Sequence, residues 1–72
     1  MNRINPEKLL LSKWTALKPQ NRERHFLVTR LLRDAQETII GCELEAVISK
    51  NIYPIDWKNL QDSSCWRMGW KQ

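Results

Sequence analysis

Between His25 and Ile48, apolar and polar residues alternate on both sides of a short polar loop, Asp34-Ala35-Gln36-Glu37. A period of two sends successive side chains to opposite faces, so each run reads as a half-buried strand. Propensity across Leu31 to Glu37 pulls toward helix, but the flanks favour an antiparallel hairpin of 26–33 against 38–45. In that register Leu31 faces Ile40, Thr29 faces Cys42 and Leu27 faces Leu44 on one side, with Ala46 and Ile48 continuing it. The other side is mixed: Phe26, Val28, Arg30 and Leu32 face Glu45, Glu43, Gly41 and Ile39, with Arg30 diagonal to Glu43. A slip of one residue would destroy the apolar side, so the pattern predicts a well-specified register. The loop lacks glycine, which argues against a two-residue turn and for a longer one.

The flanking segments predict short elements. Asn5-Pro6-Glu7-Lys8 reads as a helix start, with Asn as cap and Pro at the first helical position, followed by Leu9-Leu10-Leu11. Lys13 to Leu17 reads as a first strand. Lys18-Pro19-Gln20-Asn21 follows as a turn, and Arg22-Glu23-Arg24 extends the loop. Ser49-Lys50-Asn51 is a turn and Ile52-Tyr53-Pro54-Ile55 a fourth strand, placed at an edge because Pro54 has no N–H. Asp56 caps a single turn carrying Trp57 and Leu60, and Asp62-Ser63-Ser64 offers a second cap. Trp66 and Trp70 then lie one helical turn apart. The fold expected is mainly β: about four antiparallel strands in a meander or SH3-like half-barrel, with short helical turns at both ends.

A chain of 72 residues supports one small core, so the expectation is a single domain over 1–72 with residues 1–4 frayed. Four tryptophans are an unusual load at this length, and three lie in the last sixteen residues. Their plainer use is as large apolar anchors that seal the ends of the sheet. The core and lid set expected is therefore Leu27, Leu31, Ile40, Cys42, Leu44, Trp57, Leu60, Trp66 and Trp70, with Leu9 and Leu10 as further plugs. The sharper use is an exposed stacking platform. Trp14, beside Lys13, is the candidate for it.

Charge is unevenly spread. Residues 1–33 hold eight Lys and Arg against two acids, and residues 34–72 hold four against six. Lys13, Trp14, Lys18, Arg22, Arg24, His25, Arg30 and Arg33 form the candidate binding surface, which would suit phosphates. The plainer reading is a solvated face whose charge keeps a small protein dispersed. Nearby Glu23, Asp34, Glu37, Glu43 and Glu45 can offset much of it.

Catalytic chemistry finds little support. Glu43 and Glu45 share a strand face, but no pocket is implied there. His25 has no nucleophile at a recognisable spacing. Cys65, near Arg67 and just after a cap, is the best candidate for a reactive thiol. Cys42 sits in an apolar alternation and reads as a buried thiol. Two Cys and one distant His do not make a zinc set. Gly41 and Gly69 stand alone, with no phosphate loop. The expectation is a non-enzyme without metal or cofactor.

Several segments together carry a family resemblance. They are Leu10-Leu11-Ser12-Lys13-Trp14-Thr15-Ala16, His25-Phe26-Leu27-Val28-Thr29, Cys42-Glu43-Leu44-Glu45-Ala46-Val47, Trp57-x-x-Leu60-x-Asp62 and Trp66-x-x-Gly69-Trp70. From about Asn5 to Trp70 the chain resembles the small tryptophan-rich bacterial proteins grouped as a domain of unknown function, DUF2389. The resemblance implies no activity and supplies no catalytic residues.

No apolar run reaches the ~20 residues that span a bilayer, and the start has no apolar signal-peptide region. A cytoplasmic location is expected. The functional expectation is a non-catalytic binding module with a protein partner, monomeric or weakly dimeric and without a membrane. The edge near Tyr53-Pro54-Ile55 offers strand addition. The alternative is a weak RNA binder using the basic 18–33 region with an exposed aromatic. An enzyme would instead need a concave pocket holding His25 with an acid or Cys65.

Overall fold

The computed structural model describes residues 1–71. Five antiparallel strands form one open sheet: β1 (Lys13–Gln20), β2 (Glu23–Arg33), β3 (Ile39–Ala46), β4 (Ile52–Ile55) and β5 (Trp66–Met68). Their order is β4-β3-β2-β1-β5, so β1 to β4 run as a meander and β5 returns to the outer side of β1. The fold is mainly β, with one strand more than the sequence pattern predicts. The only helical elements among the described residues are 3-10 turns at Pro6–Lys8 and Trp57–Gln61. No helix among the described residues is long and apolar enough to cross a membrane.

The β2–β3 hairpin forms, but not in the expected register. Val28 pairs with Leu44, and the next pair is Arg30 with Glu43, which leaves Thr29 as an extra residue on β2. Leu32 pairs with Gly41 and Arg33 with Ile39, which leaves Ile40 extra on β3. Two bulges, one per strand, therefore displace the pairing. Phe26, Val28 and Leu31 face the core, whereas Leu27 stands opposite Glu45 on the outer face. Ile40, expected inside, is 53% exposed because the bulge removes it from the alternation. Cys42, Leu44 and Ala46 are buried.

The β1–β2 turn also differs. Gln20 pairs with Glu23, so the loop is Asn21-Arg22, and both residues adopt positive φ (54° and 62°). Two left-handed residues match the twist of the flanking strands. Pro19 lies within β1 instead of in the turn, in the stretch between Thr15 and Gln20 where pairing with β2 is irregular. A residue without an N–H is tolerated at such a break. Glu23 and Arg24 consequently belong to β2, not to a loop.

The two 3-10 turns and the N-terminal segment form the lid. Asn5 caps the first turn by accepting from the Glu7 amide (3.1 Å). Asp56 caps the second by accepting from Lys58 (2.9 Å). Leu9 and Leu60 join Trp14, Phe26, Val28, Cys42, Leu44 and Ala46 in the core cluster. Leu10, by contrast, is exposed. Within residues 1–4, Asn2 donates from its side chain to the carbonyls of Leu60 and Trp66 (both 2.9 Å) and from its amide to Gln61 (2.8 Å), and Ile4 packs on the core.

Candidate binding pocket

The lid covers only part of the core face. Beyond it lies an open pocket of about 290 Å³, walled by Ala16, Phe26, Leu44, Ile55, Tyr53 and Trp66, with Lys18, Gln20, Asn21 and Glu23 completing the lining. Strand pairing builds it: Ala16 pairs with Trp66, and Leu44 with Tyr53, so side chains from all five strands meet on one face. The Phe26 ring stands edge-on to Trp66 (5.4 Å between centroids, 78°) and to Tyr53 (6.2 Å, 68°). Such near-perpendicular pairs are a preferred aromatic geometry.

Glu23 closes one side of this pocket. It is 6% exposed, although in sequence it sits between Arg22 and Arg24 and reads as a surface charge. Its carboxylate accepts from the hydroxyls of Ser49 and Tyr53 and from the Asn51 side-chain amide (3.1 Å). These donors, the Ser49 hydroxyl foremost and then that of Tyr53, hold its pKa below the ordinary 4.5, against the opposing effect of burial. Glu23 is thus a carboxylate at neutral pH. The same bond pushes the Tyr53 phenol up, with burial adding to it. Nothing in the sequence around Glu23 signals this role; the turn at Ser49 to Asn51, folded back against the β1–β2 hairpin, and Tyr53 on β4 create it together.

The outer face carries a different cluster, assembled by the C-terminal segment. Thr15 is fully buried there: its hydroxyl donates to the Gly69 carbonyl (2.7 Å) and accepts from the Lys71 amide (2.8 Å). Trp70 donates from its indole to the Phe26 carbonyl (3.0 Å), stacks on His25 (5.9 Å, 25°) and lies under the Lys13 ammonium (4.6 Å). His25 also contacts the Lys71 carbonyl through Nε2 (2.8 Å). Trp70 is 41% exposed, so it is a partly open surface residue and not a buried plug. Trp66 and Trp70 do not share a helical turn, since Trp66 opens β5 and Trp70 follows Gly69 at φ 81°.

The expected basic surface is not one patch. Trp14 leaves it altogether: it is 1% exposed in the core, with its indole N–H bound to Ser12 (2.9 Å). Its neighbours point the opposite way because alternation along β1 sends Lys13 and Thr15 outward. Lys13 and His25 join Trp70, and Lys18 lines the pocket. Arg22 occupies the hairpin tip, and Arg24 is exposed on β2. Arg30 pairs with Glu43 across the strands. Arg33, at the far end of β2, reaches Glu7 (3.4 Å). Along an eleven-residue strand these side chains span roughly 30 Å or more. Among the described residues the ion pairs are Arg33–Glu7 and Lys50–Glu45.

Of the remaining candidates, Trp57 donates to the Ile39 carbonyl (3.1 Å) and packs against the core, while Leu60 lies inside it. Both cysteines are free thiols. Burial, with a contribution from Asp56, pushes the Cys42 thiol up to about 11. Cys65 is half-buried and donates weakly to Asp62 (3.5 Å). Asp62 is itself held below the ordinary carboxyl range, first by the Ser64 hydroxyl and amide. Among the described residues no three His, Cys, Asp or Glu side chains converge as a metal set.

The molecule is thus a lidded, open five-stranded sheet with an aromatic-walled pocket on its core face. The chain belongs to the tryptophan-rich protein family DUF2389, whose model matches residues 12–71. No curated protein and no solved structure matches it.

Proposed function

We propose that this protein is a non-catalytic binding module, bacterial and cytoplasmic, whose open pocket receives one side chain of a protein partner. The observation that carries the reading is the half-covered core face: apolar wall residues beside a satisfied, buried carboxylate, in about 290 Å³ of open volume. That volume is at the small end for ligand sites, which suits a single anchoring group. Strand addition is the weaker route. The Ala46 amide bonds to Asn51, and this pattern turns the polar groups of Ile52 and Pro54 outward, where Pro54 has no N–H to offer. On β5 the outward groups of Trp66 are already taken by Asn2 and Asp62.

The test is an amide-shift titration with indole as probe. Perturbations centred on Ala16, Phe26, Leu44 and Ile55 are expected. Shifts scattered over exposed Ile40, Ile48 and Met68, or no shifts, would reject the pocket as the binding surface.

A second reading has its own observation. Trp70 is partly exposed between Lys13 and His25, in the role the sequence pattern assigns to Trp14. Weak RNA binding at that outer-face cluster would show affinity falling with salt and would be lost in Trp70→Ala. A flat salt response removes this reading.

A further inference from the structure

The pocket combines two features that a purely apolar anchor would not require. Three aromatic rings, Phe26, Tyr53 and Trp66, surround it at steep mutual angles. A carboxylate, Glu23, is fixed beside them. Ring faces and a fixed negative charge both attract cations, and aromatic cages of this kind suit alkylated ammonium groups.

The hydrogen bonding of Glu23 narrows the class further. Its two oxygens already accept from Ser49, Asn51 and Tyr53. Glu23 therefore offers a field but few free lone pairs. A primary ammonium brings three N–H donors that need acceptors, and burying them unpaired is costly. A quaternary ammonium brings none. An anion would meet the Glu23 charge directly. Lys18, on the same lining, opposes a cation, and the aromatic walls and Glu23 must outweigh it.

We propose that the open half of the core face is a receptor for a trimethylated ammonium group. The group would come from a methylated lysine of a partner protein or from a small free trimethylammonium compound. The inference rests on the pocket being a binding site, as proposed above.

The experiment is a calorimetric and amide-shift titration with four probes. They are choline, its neutral carbon isostere 3,3-dimethylbutanol, a short peptide with one trimethyllysine, and the same peptide with unmodified lysine. The expected result is shifts at Ala16, Phe26 and Leu44 with choline or the methylated peptide, and affinity about tenfold or more weaker for the isostere and for unmodified lysine. Tighter binding of the peptide than of choline identifies a protein source, and the reverse identifies a free ligand. Lys18→Gln, an exposed change that should not disturb folding, is expected to tighten the cationic probes about two- to threefold relative to the isostere, through loss of one nearby charge. Equal affinity for choline and its isostere, or for the two peptides, overturns the cation receptor while leaving the pocket intact. Failure of all four probes, together with no response to indole, overturns both.

Discussion

One face of the sheet is finished in two ways. Toward the lid, Trp14, Val28 and Cys42 lie under Leu9 and Leu60 and have lost nearly all contact with water. Beyond it, Phe26 and Leu44 continue the same surface, but Trp66, Ile55 and Tyr53 around them stay partly open. The same strands build both regions, so pairing does not distinguish them. What differs is the cover. The chain spends its N-terminal segment and second 3-10 turn on one half, and the other half receives only a buried polar network at its rim. Stability belongs to the first region, and the binding proposed above would fall to the second.

The largest effect should come from the covered half. Leu60→Ala removes a fully buried lid side chain and is expected to cost about 2–5 kcal/mol. Ile55→Ala on the open half should cost only about 1 kcal/mol, since part of that side chain already meets solvent. Urea unfolding of both variants checks this, and equal losses would abolish the distinction.

Gly41→Ala probes the wall between the regions. A Cβ at Gly41 would lie 2.6 Å from the Ile55 carbonyl oxygen, a backbone atom. The strands must then part, at a cost of about 1–3 kcal/mol. Because Ile55 walls the pocket, the amide shifts of Ala16 and Leu44 should move with it. Wild-type stability in this variant would mean that β4 is loosely held.

Glu23 connects the rim to pH. Its pKa is lowered on folding, so the unfolded chain takes up the proton first as pH falls. The stabilisation is complete above the ordinary value of 4.5 and is lost as pH drops through the lower folded-state value. Glu23→Gln should unfold at lower urea than wild type at pH 7 and should lose this component of the acid dependence. Identical slopes with pH for the two proteins would show that the network does not hold the charge.

The smallest effect is expected at the edge. Pro54→Val restores an outward N–H on β4 while leaving stability within about 0.5 kcal/mol. Weak self-association by sedimentation should increase. A strictly unchanged monomer would mean that Pro54 does not guard this edge.

Much of the strand content is legible in the sequence, and the exceptions have physical causes. Residues 52–55 and the caps at Asn5 and Asp56 follow from local chemistry: a proline without a donor, and side-chain oxygens that meet free amides. Trp66–Met68 is not legible as a strand, because three residues carry too little periodicity. The hairpin of β2 and β3 is legible as a pairing but not in register. Of the two bulges, the one at Thr29 has no glycine to mark it, whereas the one at Ile40 lies beside Gly41, a residue that in a strand can mark a bulge. They exchange Leu27 and Ile40 for Phe26 and Ile39 inside the molecule. Of the pocket, the basic stretch reveals Lys18, but Glu23 hides between two arginines.

Local rules operate within a few residues, and they set the mainly β character, the edge position of β4, the capped turns and the burial of Cys42 and Leu44. The direction each tryptophan faces, the fifth strand and the partners of Glu23 depend on segments distant in the chain, 26 to 30 residues apart for the Ser49 and Tyr53 hydroxyls that reach Glu23. Those were settled only when the sheet twisted and the lid closed over half of it. Burial is a property of what lies opposite in space, and alternation along a strand cannot say which of its two faces will be covered.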